Sequence, residues 1–199
     1  DVALSGKYVE DAVNDGVRQA YENFRKSSVH PLSRKNSGDN TPAIIHTRVV
    51  KGDKVKVSCM MKGFGSENMS RLFMLTPADG VEGVVEKVVE TVKDAGSCPC
   101  PPVILGVGVG GTMEKAAIMS KHALLNDLDK ENPDEYLSSL EKEMLEKINA
   151  LGIGAEGFRG DVTALRVFIE TENTHIAGLP VAVTVQCHCS RHGERIIEG

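Results

Sequence analysis

Four of the five cysteines in this 199-residue chain form two Cys-x-Cys pairs. In the first pair, Cys98-Pro-Cys100, two further prolines follow, and this proline content excludes a regular helix and keeps the segment extended and rigid. The second pair, Cys187-His-Cys189, comes at the end of a predicted strand, and Cys59 stands apart. An odd number of clustered cysteines predicts metal binding or catalysis before it predicts disulfides.

The two pairs leave three interpretations open. Together they could close a four-cysteine zinc or iron–sulfur site. Cys-x-Cys spacing is, however, tighter than the spacing of common zinc sites, which favours one ligand from each pair. In the third interpretation all the cysteines are buried and act as small apolar residues.

The charge balance argues against a dedicated nucleic-acid binder. Lys and Arg number 23 against 28 Asp and Glu, a formal net charge of −5, whereas nucleic-acid binding favours a basic surface.

The longest uncharged apolar run, Pro101–Thr112, is too short to span a bilayer. We therefore expect no membrane segment and, without a secretory leader, a cytoplasmic protein. We expect one domain over residues 1–199, shortened at its N-terminus because the chain starts at Asp1 rather than at Met.

Apolar residues at three- and four-residue spacing predict four helices. They run from about Lys7 to Ser27 with a buried face, from about Asp79 to Asp94, from Thr112 to about Leu125, and from Asn132 to a stop at Gly152. In the last of these helices, Asn132 is the predicted N-cap and Pro133 the first helical residue.

Strands are predicted from alternating or continuous apolar residues. They are Ala43–Val50 and Lys54–Met61, joined as a hairpin through Lys51–Asp53, then Val103–Val109, Val162–Glu170, Val181–Cys187 and a short strand near Ile196–Ile197. Helices and strands do not alternate regularly along the chain. This order predicts a mixed α/β (α+β) protein, in which a mixed sheet packs with several amphipathic helices, rather than a doubly wound Rossmann fold.

Two glycine-rich segments are candidates for binding a nucleotide or an anion. Residues 106–111 formally match the GxGxxG dinucleotide motif, but Gly106 and Gly108 lie inside a predicted strand instead of in the turn after it. Close packing of that strand is the favoured interpretation. In Lys62–Asn68, glycines directly after a strand allow backbone N–H groups to converge on a phosphate or carboxylate. For this segment by itself, a plain glycine turn is the favoured interpretation.

Two single residues carry little information by themselves. His175 lies in a loop that leads into the strand ending at Cys187, and a lone loop histidine is most often solvated. Arg25 lies near the end of the first predicted helix, where a cation also complements the helix dipole.

Several motifs, taken together and in this order, resemble one enzyme family. They are Asn-Ser-Gly-Asp-Asn-Thr-Pro-Ala at 36–43, Lys-Gly-Phe-Gly-Ser-Glu-Asn-Met-Ser at 62–70, Cys-Pro-Pro at 100–102, Val-Gly-Val-Gly-Gly-Thr at 107–112 and Gly-Leu-Pro-Val-Ala-Val-Thr-Val-Gln-Cys at 178–187. This set resembles the class I, iron–sulfur-dependent fumarate hydratase and L-tartrate dehydratase family, and more narrowly its α subunit. The resemblance extends over nearly all 199 residues.

The resemblance implies a [4Fe–4S] cluster held by three cysteines, with one iron left open for substrate. It assigns one ligand to Cys100 and another to Cys187, and none to Cys59, Cys98 or Cys189. The third ligand of the family belongs to a Cys-Gln-Asp-Thr-Gly segment, which this sequence does not contain.

The resemblance also implies roles for three other candidates. Arg25 would bind a substrate carboxylate, the backbone of Gly65 would face the substrate, and His175 would be an active-site histidine. Phe64 stands where a glycine is common in the family. The implied activity is reversible addition of water to a four-carbon dicarboxylate, namely hydration of fumarate to malate, with L-tartrate dehydration as the alternative.

A protein partner is implied as well. The family places its proton-abstracting hydroxyl and further arginines on a β subunit or a C-terminal domain. We therefore expect a hetero-oligomer, or a homodimer of α subunits, and an isolated chain that is inactive. A remote alternative is a non-enzymatic four-cysteine zinc module that uses both Cys-x-Cys pairs. Another alternative is a nucleotide-binding protein that uses the glycines at 106–111. We expect this alternative to fail, with no binding of NAD or ATP.

Overall fold

Helices and strands follow one another irregularly in the computed structural model, which describes residues 8–189 and 191–198. Among these residues the helices are α1 (Val9–Ala20), α2 (Phe64–Glu67), α3 (Gly80–Ala95), α4 (Met113–Ala123) and α5 (Glu135–Asn149). The strands are β1 (Lys54–Met61), β2 (Arg71–Leu75), β3 (Val103–Gly110), β4 (Ala164–Glu172), β5 (Leu179–Gln186) and β6 (Arg191–Glu198). These elements confirm the predicted α+β class.

Contacts within the chain divide it into two units. One unit consists of the residues before Ser58 together with those from Arg195 onward, and the other is Ser58–Glu194. The predicted single domain over residues 1–199 stays a prediction. Among the described residues, no helix has both the length and the apolar character needed to cross a membrane.

The Ser58–Glu194 unit is built around a four-stranded mixed sheet in the order β2–β5–β3–β4. Strand β3 pairs in parallel with β4 and antiparallel with β5, and Val107 is opposite both Ile169 and Val183. Because side chains alternate along a strand, β3 contributes to two cores. Val107 packs with α3 and α5 on one face, whereas Ile104 packs with Leu124 at the end of α4 on the other.

Glycines inside β3 allow α4 to lie close against the sheet. A Cβ at Gly106 would come 1.9 Å from the carbonyl oxygen of Ser120, and one at Gly108 would come 2.1 Å from that of Ala116. Neither distance is possible between real atoms, so only glycine fits at these two positions. The interpretation of this glycine run as close strand packing is confirmed.

The predicted helices of the Ser58–Glu194 unit are confirmed with small shifts at their ends. Helix α3 buries the apolar stripe that predicted it, including Val84, Val88 and Val92. Helix α5 begins later than predicted, and Asn132 is not its N-cap. The carboxylate of Asp134 accepts hydrogen bonds from the N–H groups of the first turn instead.

Two predictions outside the sheet are wrong. Ala43–Val50 forms no strand, and β1 pairs with β6 rather than in a hairpin. The residues of 43–50 have strand propensity, but a strand forms only where another strand supplies hydrogen bonds, which no local pattern reveals. Short elements were also missed, because neither β2 nor α2 has enough residues to show a period.

Helix α1 is shorter than predicted. It ends at Ala20, and none of its residues is buried, so the predicted buried face is wrong. Beyond it, the ammonium group of Lys26 donates hydrogen bonds to the carbonyls of Tyr21, Glu22 and Phe24. These carbonyls are therefore satisfied without further helical turns. The predicted start at Lys7 lies outside the described residues.

Candidate functional site

The two Cys-x-Cys pairs lie at the same edge of the sheet. The first pair precedes β3 and the second follows β5. Because β3 and β5 are antiparallel, with Ile104 opposite Gln186, the start of β3 and the end of β5 are neighbours. The ring Nδ1 of His188, between the second pair of cysteines, lies 3.0 Å from the carbonyl oxygen of Cys100 and can donate a hydrogen bond to it.

Helix α2 lies against both cysteine segments. A Cβ on Gly63, the N-cap of α2, would lie 4.0 Å from the Sγ of Cys187. A Cβ on Gly65 would lie 3.5 Å from the carbonyl oxygen of Cys98. The two glycines therefore keep side-chain atoms out of the space next to the cysteines. The sequence predicted a glycine turn here, and the structure forms a single helical turn.

The cysteines at this edge are free and accessible. Cys98, Cys100 and Cys189 are exposed, Cys187 is half-buried, and Cys59 is exposed on β1. The alternative in which all of them are small buried residues is therefore wrong. Cys100 also has a φ of +54°, a left-handed conformation that is costly for a residue other than glycine and is often found at functional sites.

The acidic and thiol groups around Cys100 affect its ionisation. What little burial Cys100 has raises the pKa of its thiol, and the neighbouring Glu156 carboxylate raises it further, as do Cys187, Cys189 and Cys98. Burial and these neighbouring groups therefore disfavour a negative charge on Cys100.

A cluster of charged side chains supports α2. The carboxylate of Glu67 accepts a hydrogen bond of 2.5 Å from Lys121 on α4 and lies 3.4 Å from the Nζ of Lys62. Lys62 also donates to the hydroxyl of Ser66 at 2.8 Å. Two ammonium groups therefore share one carboxylate, which leaves a net positive charge beside the cysteine edge.

Burial and charge act in opposite directions on this cluster. Burial raises the pKa of Glu67, but the hydrogen bond and charge of Lys121 and the charge of Lys62 outweigh it and leave that pKa below its ordinary value. For Lys62 burial dominates and lowers the pKa, although Glu67 opposes the change. The carboxylate of Glu67 is thus kept ionised near neutral pH.

The described residues do not form a complete metal site. In the ranges 8–189 and 191–198, no group of three or more His, Cys, Asp or Glu side chains is arranged to hold a metal ion. Cys100 and Cys187 belong to segments that meet at the same edge of the sheet, and their role as ligands stays a prediction. A complete ligand set would need at least one further group.

His175 lies at the opposite end of β5 from Cys187. Strand β5 has eight residues, and the seven steps between its first and last residue span about 23 Å at roughly 3.3 Å per residue. At that far end, the hydroxyl of Thr174 donates a hydrogen bond to the carbonyl of Gly111, just after β3. His175 lines a mostly apolar cavity of about 400 Å³ formed by residues of α3, α5 and strands β3, β4 and β5.

Arg25 belongs to the unit that precedes Ser58. Its side chain is exposed, and its Nε donates a hydrogen bond of 3.1 Å to the hydroxyl of Ser27. Arg25 lies beyond the end of α1, and Arg18 is the basic residue in the last helical turn. Arg25 therefore does not take the position at a helix C-terminus that its alternative interpretation required.

Comparison with known proteins identifies the family. A model of the fumarate hydratase (Fumerase) family matches residues 1–196. The chain belongs to this family. The resemblance found in its motifs is thus confirmed, whereas the roles of individual residues stay predictions.

Relatives in the family are named as α subunits. A protein named "Putative L(+)-tartrate dehydratase subunit alpha" from Methanocaldococcus jannaschii is 44% identical over 96% of this chain and 70% of its own length. The L(+)-tartrate dehydratase subunit alpha of Escherichia coli O157:H7 is 33% identical over 82% of this chain. That of Escherichia coli K12 is 32% identical over the same share. The chain spans about half the length of both Escherichia coli relatives, 54% in each case.

Several residues at the cysteine edge were not found from the sequence. His188 had no recognisable metal-ligand spacing, although its position between two cysteines was a usable signal. Lys121 and Gln186 lie far from α2 along the chain, so only the packing of α4 and β5 shows that they are close to it.

Proposed function

We propose that this chain is the α subunit of an iron–sulfur hydro-lyase that catalyses the reversible hydration of fumarate to malate. The observation that carries the proposal is the convergence of the Cys100 and Cys187 segments around Gly63 and Gly65 at one edge of the sheet. Membership of the fumarate hydratase family supports it. Dehydration of L-tartrate is the second candidate, and the names of the relatives favour it.

A [4Fe–4S] cluster is the cofactor that we propose for this edge. Cys100 and Cys187 would hold it, and the third ligand would come from a segment that this sequence does not contain. When bound, the cluster would supply an open iron that acts as a Lewis acid toward the substrate. The accessible thiols at this edge support the assignment.

The other roles concern binding of a dicarboxylate. We propose that the backbone of Gly65 faces the substrate and that Arg25 pairs with one of its carboxylates. His175 precedes β5, whose two ends are about 23 Å apart, and Cys187 follows the other end. If His175 hydrogen-bonds substrate or moves a proton, it does so at the site of a second copy, and for that reason we propose an association between α subunits.

The proposed reaction also needs groups that the family resemblance does not assign to any residue of this sequence. We propose that a β subunit supplies the proton-abstracting hydroxyl and the cations for the second carboxylate, so that the isolated chain is inactive. The free cysteines favour a reducing compartment, and we propose the cytoplasm.

Anaerobic reconstitution of cysteine variants tests the proposal. Cys100→Ser and Cys187→Ser should lose the visible absorbance of the cluster and its iron and sulfide, whereas Cys98→Ser and Cys189→Ser should keep them. Full cluster absorbance in Cys187→Ser would contradict the assignment of Cys187 as a cluster ligand. Stoichiometric zinc that requires all four of these cysteines would instead support the structural zinc module. Co-expression with the β subunit, followed by anaerobic assays of fumarate, malate and L-tartrate, separates the two hydro-lyase candidates.

A further inference from the structure

The segment that carries α2 is attached to β5 at both of its ends. We call Lys62–Met69 the glycine turn. Just before it, the carbonyl oxygen of Met61 accepts a 3.0 Å hydrogen bond from the Nε2 of Gln186. Just after it, the hydroxyl of Ser70 accepts a 3.1 Å hydrogen bond from the N–H of Val185. Both donors belong to the last two residues of β5, immediately before Cys187.

Gln186 is an unusual residue for this position. Its side chain is completely buried, with 0% of the residue exposed. The amide Oε1 is buried too and has no hydrogen-bond partner among the described residues. The cost of the unsatisfied buried oxygen is of the same order as the net contribution of the hydrogen bond to Met61, so the two largely offset each other in stability. Stability by itself therefore does not explain a glutamine here.

The side-chain Nε2 of Gln186 donates to a backbone group, the carbonyl of Met61. It therefore acts through the backbone. By holding the Met61 carbonyl, it sets where the glycine turn begins relative to the end of β5. The distances that define the site depend on this placement, namely Gly63 against Cys187 and Gly65 against Cys98.

We propose that Gln186 is a positioning residue, which holds the glycine turn at a fixed distance from the cysteine edge through the carbonyl of Met61. Ser70 holds the other end of the turn in the same way. The effect of Gln186 on substrate binding rests on the proposed function, in which the backbone of Gly65 faces a dicarboxylate. The effect of Gln186 on the position of the glycine turn does not rest on that function.

The test compares Gln186→Met with a matched control. Methionine keeps the length and apolar volume of glutamine and removes the amide. Thr184→Val is the control, because Thr184 is also a buried polar residue of β5, two positions away on the same face, and its hydroxyl bonds Ser120 rather than the glycine turn. Ser70→Ala releases the other end of the turn.

Amide hydrogen exchange of the folded chain gives a readout that needs no cluster. In Gln186→Met, exchange in the glycine turn should become roughly tenfold faster, with little change in exchange in β3 or in thermal unfolding. Ser70→Ala should have a similar effect, and Thr184→Val should leave the turn unchanged. Unchanged exchange in the turn of Gln186→Met would overturn the proposal. A general rise in exchange with a large loss of thermal stability would also overturn it, because Gln186 would then be a structural residue.

The assembled, anaerobically reconstituted enzyme gives the second readout. Gln186→Met should keep its cluster absorbance and lose roughly 10- to 100-fold in kcat/KM, mainly through KM, as expected for a displaced binding group. Thr184→Val should match the wild type. Unchanged kinetics in Gln186→Met would contradict the positioning role. If the wild-type assembly holds no cluster and hydrates no dicarboxylate, the proposed function fails, and the exchange experiment still decides whether Gln186 holds the turn.

Discussion

Substitution of Gly108 by alanine tests the close packing of α4 on β3. The added Cβ would lie 2.1 Å from the carbonyl oxygen of Ala116 and 2.8 Å from the backbone nitrogen of Ser120. Ordinary contacts begin at 3.4 Å, so α4 would have to withdraw by about 1.3 Å, the difference between 3.4 and 2.1 Å. The atoms in the way belong to the helix backbone, which cannot turn aside as a flexible side chain can.

The cost of this withdrawal follows from what α4 buries. Its inner face carries Ala116, Met119, Ser120 and Ala123, all of them buried. Overpacking of a core costs about 1–3 kcal/mol, and we expect the upper end, about 3 kcal/mol, because the whole helix has to move. For a chain of this size that loss lowers the unfolding temperature by roughly 6–12 °C.

Urea unfolding of the isolated chain measures this difference, with Gly178→Ala as the control. Gly178 has no atom within 4 Å of the position of an added Cβ and no positive φ, so its substitution should change the unfolding free energy by no more than about 0.5 kcal/mol. A Gly108→Ala variant that is as stable as Gly178→Ala would refute the close packing of α4 and the need for glycine at this position.

Two further predictions concern α5 and the charged cluster. Asp134→Ala removes the acceptor for two N–H groups at the start of α5, so urea unfolding should show an unfolding free energy lower by about 1 kcal/mol. Asp134→Asn keeps an acceptor oxygen and should keep most of the wild-type unfolding free energy. For Glu67, a folded-state pKa below the ordinary 4.5 means that its ionised carboxylate contributes stability above pH 4.5 and loses that contribution as the pH falls through the lowered pKa. The stability advantage of the wild type over Glu67→Gln should therefore shrink below pH 4.5, and an advantage that stays constant on acidification would show that the charge of Glu67 contributes nothing.

Elements with a clear local period were predictable from the sequence. The spacing of Val84, Val88 and Val92 predicted α3, and the uninterrupted apolar residues of β3 predicted a buried strand. Glycines in that strand indicated close packing before any helix was known to lie there. Ala43–Val50 is rich in β-branched residues but forms no strand, because strand formation depends on a partner that local sequence does not specify.

The candidate site was predictable only in pieces. The order of the motifs identified the family and selected Cys100 and Cys187 as ligand candidates, and the model match confirms the family. The sequence did not reveal that His188 bonds the carbonyl of Cys100. This contact depends on the antiparallel pairing of β3 with β5, which joins residues distant along the chain.

The sequence by itself determined the α+β class, the buried strand β3, the helices α3 and α5, and the family. The reason is that helical and strand periods and ordered motifs are local properties of a chain. Only the tertiary structure decided that α2 lies against both cysteine segments, that Lys121 pairs with Glu67, and that Gln186 bonds the carbonyl of Met61. These contacts depend on strand order and helix packing, which bring together side chains whose positions along the chain give no sign that they meet.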